Sequence, residues 1–363
     1  MSTLYVPTPT AAWSVSDGAA EADAGRRLPE QTVACVTDAG FPRHFVPAAW
    51  GGNEGAFTDL LHRTAELAEG CASAAWCAAL WAAHGRFAAY LPPEGQRDIW
   101  GTSADVRISA AVVPPSGTAR RTGDTWLLQG EWSCVSGVQH ADWLLLAAPE
   151  PEGEPGTGPL VLAVPADRVT VLDTWHSTGM RGTGSHSVLV PPLEVPLHRT
   201  FPMLDLMCGT PAPGRARCHA VPAQLGGALT FAAPALGAAR HALRAWTTRA
   251  AKGPGVPGGS AREVLARSAA EIEAAGLLLD LAARRADAEH GPLAVAENRR
   301  DIAFATDLLV SAVERLFRAG GDQARDASSE LQRCWRDVHT AATHGALRLD
   351  AAAAAYAEAV LGR

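Results

Sequence analysis

The sequence predicts an α+β protein, mostly α, in three parts: an N-terminal helical domain over residues 1–105, a central antiparallel β domain over 106–212 and a C-terminal four-helix bundle over 213–363. Three observations carry this reading. Apolar residues recur at helical period at both ends of the chain, the middle is written in short β-type runs cut by Gly, Pro and Asp, and no helix-period segment separates those runs. Strands that follow one another without helices between them pair as antiparallel neighbours and close into a barrel or sandwich. At 363 residues the chain also exceeds one typical core, so more than one structural unit is expected.

In the first part, Leu60, Leu61, Ala65, Leu67 and Ala68, then Ala74, Ala75, Ala78, Leu80 and Trp81, form a near-continuous apolar pattern, broken by Gly70 and ended by Pro92 and Pro93. Its small residues let helices approach closely. In the second part, Thr125–Gln129, Trp143–Ala147, Leu160–Val164, Arg168–Leu172 and His186–Val190 read as strands. The Pro149–Pro159 stretch is a hairpin connection of low constraint. After Pro213 and Gly214 the helical period returns over 221–251, 260–289, 293–319 and 327–361, with breaks at Pro254–Gly259 and His290–Pro292.

Composition narrows the function. Apolar residues make up 47% and charged residues 19%, with a net charge of −7, so there is no polybasic footprint for nucleic acid or an anionic membrane. The longest uncharged apolar stretch, Leu225 to Ala239, is short for a membrane span and carries Gly226, Gly227 and Pro234. Seven cysteines form no CxxC pair, and the first residues lack a charged region followed by an apolar run, which fits a reducing cytoplasm. Histidines are scattered, with no HExxH or Cys/His cluster, so no metal site is expected. A small organic molecule is the expected ligand.

Three motifs carry the chemistry: Gly130-Glu-Trp-Ser-Cys-Val-Ser-Gly with His140-Ala-Asp-Trp, then Asp173-Thr-Trp-His-Ser-Thr-Gly-Met-Arg-Gly-Thr-Gly-Ser185, then Leu331-Gln-Arg-Cys-Trp-Arg-Asp-Val-His339. In this order, between a helical domain and a bundle, they resemble the acyl-CoA dehydrogenase superfamily, in its branch of two-component flavin-dependent monooxygenases. The resemblance covers nearly the whole chain. It implies a hydroxylase of an aromatic or polyketide-type natural-product intermediate, using dioxygen and diffusible reduced FMN or FAD. With no nicotinamide-binding fingerprint in the chain, the reduced flavin would come from a separate NAD(P)H-dependent flavin reductase. The superfamily's dehydrogenases need a carboxylate base; its commonest position is Gly345 here, and the alternative, between Gly226 and Arg240, holds no Asp or Glu. Two other readings stay open on the same fold: an N-oxygenase of an amino sugar or amine, and a non-oxygenating or flavin-free protein.

The resemblance also assigns residues. Ser136, with Gly137 beside it, matches the hydroxyl that faces the flavin's central-ring nitrogen, against the alternative of an ordinary Ser-Gly turn. His344 matches the histidine placed over the flavin, and an imidazole that titrates near neutral pH can donate or move a proton. On one continuous helix His339 would lie about 140° from His344, so only one of them would face the flavin; for His339, catalysis and packing on the cofactor wall are equally open. Arg333 could contact the cofactor phosphate or a neighbouring subunit, or pair with Asp337 four residues on. Gly320 and Gly321 match a diglycine that approaches the flavin from a partner subunit, where the lack of a side chain permits close approach; as a bare helix cap the pair would be unremarkable. That implies a homotetramer or homodimer. Trp175 would stack on the flavin or pack, with packing weighted higher. Trp76, Trp81, His84 and Phe87 resemble the family's aromatic substrate wall, Trp76 and His84 lying about 80° apart on an ideal helix, although an aromatic stripe at helical spacing is more often plain core.

Overall fold

The computed structural model describes residues 15–151, 154–210, 214–252, 259–288 and 291–362. The boundary at Pro213, the two expected helix breaks and the Pro149–Pro159 connection fall partly on residues outside that set. The N-terminal region folds as α1 (Ala19–Gly25), α2 (Glu30–Asp38), α3 (Phe57–Ala68), α4 (Ala72–Ala88) and α5 (Pro93–Trp100). Every residue of α4 except Phe87 is buried. A helix apolar on all faces can only be a core helix, and α4 is the element that the rest of the molecule wraps. The start of α3 is held by Asp287, whose carboxylate accepts the Phe57 and Thr58 backbone N–H groups at 2.8 and 3.0 Å, satisfying donors that a helix start leaves unpaired.

The middle of the chain forms β1 (Ile108–Ala111), β2 (Thr118–Thr122), β3 (Thr125–Val135), β4 (Trp143–Ala148), β5 (Leu160–Pro165), β6 (Thr170–Leu172), β7 (His186–Pro196) and β8 (Thr200–Pro202). They make two four-stranded sheets, ordered β1-β4-β5-β8 and β2-β3-β7-β6. Among the described residues all pairings are antiparallel but one: β1 runs parallel to β4, Ile108 opposite Trp143. The chain leaves β1 for the other sheet and returns to β4 in the same direction, so the domain is mixed at this edge. Side chains alternate between faces along a strand. Leu144, Leu146 and Ala148 therefore meet Trp126, Trp132 and Val188 between the sheets, while Leu145 and Ala147 pack on Ala88, Leu91 and Trp100. Burial on both faces explains why β4 and β5 are apolar without alternation.

Helices then return as α6 (Met203–Cys208), α7 (Ala223–Gly226), α8 (Leu229–Ala251), α9 (Gly259–Ala288), α10 (Pro292–Ala319), α11 (Gly321–Ala324), α12 (Glu330–Ala342) and α13 (Leu349–Leu361). Helix α8 lies against α3 so closely that a Cβ on Gly237 would come within 2.0 Å of the Ala65 carbonyl oxygen. The helix expected over 327–361 is instead two, α12 and α13, separated by a 3-10 turn at Gly345–Leu347. Its sequence explains the break. Thr343 turns its hydroxyl back to the Thr340 carbonyl at 2.7 Å, His344 is extended with ψ 133°, and Gly345 follows, so three poor helix formers coincide. Among the described residues no helix is long and apolar enough to cross a membrane.

Candidate active site

Strand β3 delivers the first candidate residue. Its register against β7 shifts between Trp132 and Val135, and Cys134 adopts φ +57° there. A bulge of this kind re-aims the side chains that follow, and Ser136 ends up inside, 8% exposed. Gly137 takes φ +70° and lies against Trp81, where a Cβ would stand 3.0 Å from the indole nitrogen. Backbone conformation and close approach both require glycine at this position.

Ser136 is the meeting point of two elements. The Trp76 indole N–H donates to its Oγ at 3.1 Å, and the same Oγ lies 2.7 Å from Ser185 Oγ. Ser185 Oγ is in turn 2.7 Å from Thr183 Oγ1, which donates to the Met180 carbonyl at 2.8 Å. The Gly137 backbone N–H donates to the Thr183 carbonyl at 2.8 Å. Thus the Ser-Gly turn and the Asp173–Ser185 loop form one hydrogen-bonded unit.

That loop is fixed to α12. The Met180 N–H donates to Asp337 Oδ1 at 2.5 Å, and the Arg336 guanidinium donates to the Thr178 carbonyl while pairing with Asp23 at 2.8 Å. A Cβ on Gly179 would lie 2.1 Å from the Arg336 carbonyl oxygen, so loop and helix touch backbone to backbone. Burial pushes the Asp337 carboxyl up to about 6, against the Met180 N–H that favours its ionised form. The expected Arg333–Asp337 ion pair does not form. Asp337 turns to Met180 instead, and Arg333, with no ion pair among the described residues, lines a small crevice beside Ser73, His241 and Asp337. Trp175 packs, its indole donating to the Met180 carbonyl at 3.1 Å. Its backbone N–H and that of Thr174 both donate to His186 Nδ1 at 3.2 Å, which makes that ring nitrogen an acceptor.

His344 reaches the same place from the turn after α12. Its Nδ1 accepts the Ala346 N–H at 3.2 Å, leaving the proton of the neutral ring on Nε2. The ring stacks on Phe231 with centroids 3.7 Å apart and lies 6.0 Å from Trp76, edge to face; Trp76 and Phe231 are 5.1 Å apart. Burial lowers the His344 pKa to about 4. The expectation of titration near neutrality is therefore corrected: at pH 7 the ring is an uncharged N–H donor. Because α12 ends before His344, the 140° separation from His339 does not apply. His339 belongs to another cluster, its Nδ1 2.8 Å from the Trp335 carbonyl and its Nε2 3.5 Å from Glu314. It makes no hydrogen bond or ring contact to Ser136, Trp76 or His344.

The remaining expected residues divide. Trp81 is fully buried and its indole N–H has no partner among the described residues. His84, about 12 Å along α4 from Trp76, donates from Nδ1 to the Ile108 carbonyl at 2.8 Å, so its Nε2 is an acceptor. Burial lowers its pKa to about 4. Phe87 lies 5.5 Å from the His84 ring. Gly320 is packed, a Cβ there falling 2.5 Å from Ala324, whereas Gly321 takes φ +65° with open space where its Cβ would be. Sequence reasoning missed Phe231, Thr183, Ser185 and the Met180–Asp337 bond. Ser185 and Thr183 lay inside a recognised motif, but nothing in the sequence distinguishes Phe231 from its apolar neighbours.

The groups here that could meet a flat ring system with a hydrogen-bonding edge are a remaining lone pair on Ser136, a bare Gly137, the Trp81 indole N–H, unpartnered among the described residues, and the His344 Nε2 donor. Among the described residues no three His, Cys, Asp or Glu side chains are placed to hold a metal ion.

Comparison with known proteins agrees in fold and branch. Residues 229–349 match the family described as acyl-CoA dehydrogenase, C-terminal domain. The oxygenase component of an FADH2-dependent resorcinol hydroxylase from Rhizobium sp. (strain MTP-10005) is 30% identical over 95% of this chain and 90% of its own length. The crystal structure of 3-HSA hydroxylase from Rhodococcus sp. RHA1 superposes with a TM-score of 0.90 at 28% identity, over 97% of this chain and 94% of its own. XiaF from Streptomyces sp., solved with FADH2 and glycerol, gives 0.89 at 27% identity over 97% and 93%. The chain belongs to the acyl-CoA dehydrogenase fold family, among the oxygenase components of two-component flavin-dependent monooxygenases.

Proposed function

We propose that this protein hydroxylates an aromatic, phenol-like or polyketide-type intermediate with reduced flavin and dioxygen. The observation that carries the proposal is the aromatic cluster of His344 stacked on Phe231 with Trp76 set edge to face against it, the Trp76 indole N–H being bonded to Ser136. FADH2 is the first choice of flavin, since it is the form named for the resorcinol hydroxylase component and the ligand of XiaF; reduced FMN is the alternative. A separate reductase would supply it, and a homotetramer or homodimer would complete the site. Seven free thiols fit a reducing, cytoplasmic setting.

Bound reduced flavin supplies two electrons, so that one oxygen atom enters the aromatic ring and the other leaves as water. Ser136 and Gly137 orient its central ring. Trp76 and Phe231 exclude water from the reacting face. His344 Nε2–H donates a hydrogen bond to developing negative charge without being charged itself. His84 Nε2 accepts a hydrogen bond from the hydroxyl of a phenolic substrate, since its other nitrogen is committed to the Ile108 carbonyl. An amine substrate would call for a carboxylate beside Trp76, where the neighbours are Phe231, His344 and Ser136. The test is to mix the purified protein anaerobically with photoreduced FAD or FMN, add resorcinol as a model phenol, and admit oxygen. Phenol-dependent oxygen uptake with a hydroxylated product supports the reading. No binding of either reduced flavin overturns it.

A further inference from the structure

The hydroxyl chain behind Ser136 has one direction, and it can be counted. Three O···O contacts run from Ser136 to the Met180 carbonyl: Ser136–Ser185 at 2.7 Å, Ser185–Thr183 at 2.7 Å and Thr183–Met180 at 2.8 Å. At such distances two oxygens without a proton between them repel, so each contact needs one proton. Three hydroxyls hold one proton each, and the carbonyl holds none. Thr183 must therefore donate to Met180, Ser185 to Thr183, and Ser136 to Ser185. The Trp76 N–H fills one of the two Ser136 lone pairs. What Ser136 keeps to offer a further partner is a single lone pair. Burial keeps water from rearranging the chain, with Thr183 2% and Ser185 6% exposed.

We propose that Thr183, Ser185 and Trp76 act as positioning residues that hold Ser136 as an acceptor only, and that this polarity makes the site discriminate reduced from oxidised flavin. The inference rests on the proposed contact between Ser136 and the flavin's central-ring nitrogen. In the reduced cofactor that nitrogen carries a hydrogen and donates; in the oxidised cofactor it carries a lone pair and accepts. A lone pair on Ser136 satisfies the first and opposes the second. The discrimination would then reside in the direction of a proton chain that ends three residues on, at the Met180 carbonyl, and not in the serine alone.

The substitutions Ser185→Ala and Thr183→Val test this at two positions. In Ser185→Ala the Ser136 proton loses its acceptor; in Thr183→Val the Ser185 proton is free to turn round. Either change releases the Ser136 hydroxyl to donate. Dissociation constants of oxidised and of photoreduced FAD and FMN, measured anaerobically on the full-length protein, give the ratio of oxidised to reduced for each variant. The ratio should fall by on the order of three- to tenfold in both variants, the worth of one neutral hydrogen bond, and stay at the wild-type value in Thr183→Ser. Equal weakening of both redox states, or no change in either variant, would overturn the proposal while leaving the flavin reading intact. Failure of the wild-type protein to bind flavin in either state would overturn both. Should Thr183→Val not fold, Ser185→Ala decides alone.

Discussion

His84 offers a quantitative check on both fold and mechanism. Its ring is 6% exposed, it donates from Nδ1 to the Ile108 carbonyl, and burial moves its pKa from 6.5 to about 4. A depressed folded pKa means that the neutral ring stabilises the fold above pH 6.5, and that this contribution is lost as pH falls towards 4. For these two values the loss between pH 7 and pH 5 is about 2 kcal/mol from this one group. The replacement His84→Asn keeps an N–H where Nδ1 stood but cannot titrate. Urea unfolding of wild type and variant, at pH 7 and pH 5 and at one protein concentration, isolates the difference. The variant is expected to be the less stable at pH 7, with its deficit shrinking by about 2 kcal/mol at pH 5. A deficit that does not change with pH would refute the burial argument and, with it, the claim that Nε2 stays an unprotonated acceptor throughout the neutral range.

Three further outcomes follow from the same geometry. Ser136→Ala and His344→Ala should each reduce hydroxylated product more than flavin affinity, and His344→Ala should divert consumed oxygen to hydrogen peroxide, measured as the ratio of peroxide to product; unchanged coupling in both would remove these assignments. Trp76→Phe keeps the ring against Phe231 but loses the 3.1 Å bond to Ser136, so stability should drop by about 1 kcal/mol, with a null result in urea unfolding counting against that bond. Gly179→Ala would drive a methyl group into the Arg336 carbonyl at 2.1 Å, costing about 1–3 kcal/mol; limited proteolysis should then cut the 173–185 loop faster than in wild type, and equal rates would show that the loop is not pinned there.

Much of this was legible in the sequence because the signals were redundant. Helix α4 announced itself by small apolar residues on every face, and β4 and β5 by unbroken apolar runs between turn residues. Ser136 was singled out through the resemblance alone, since a strand that stops at Ser-Gly reads equally as an ordinary turn. The parallel β1–β4 edge was not readable, since four residues of Ile108–Ala111 carry no mark of direction. Nor was the pairing of the second and third motifs: Asp337 looked like the i,i+4 partner of Arg333, and only the folded chain shows that the Met180 N–H takes it. Local spacing ranks local partners, and a loop that arrives from 157 residues away leaves no trace in it.

The break after Ala342 is where a local misreading mattered most for chemistry. A continuous helix through 344 would have pointed both His344 nitrogens outward from one cylinder, with its backbone N–H groups already bonded. The turn instead exposes the Ala346 N–H, and that donor occupies His344 Nδ1. The tautomer is thereby set by the backbone, with the proton on Nε2, while Phe231 and Trp76 keep the ring uncharged. Gly345, at the position where a dehydrogenase would carry its base, has open space where a Cβ would be. A carboxylate there is therefore not excluded by packing. What opposes it is the company it would keep: an anion beside His344 would favour the imidazolium, converting a neutral donor into a charged one. The glycine and the neutral histidine thus form one chemical choice, in favour of donating a hydrogen bond and against removing a proton from carbon.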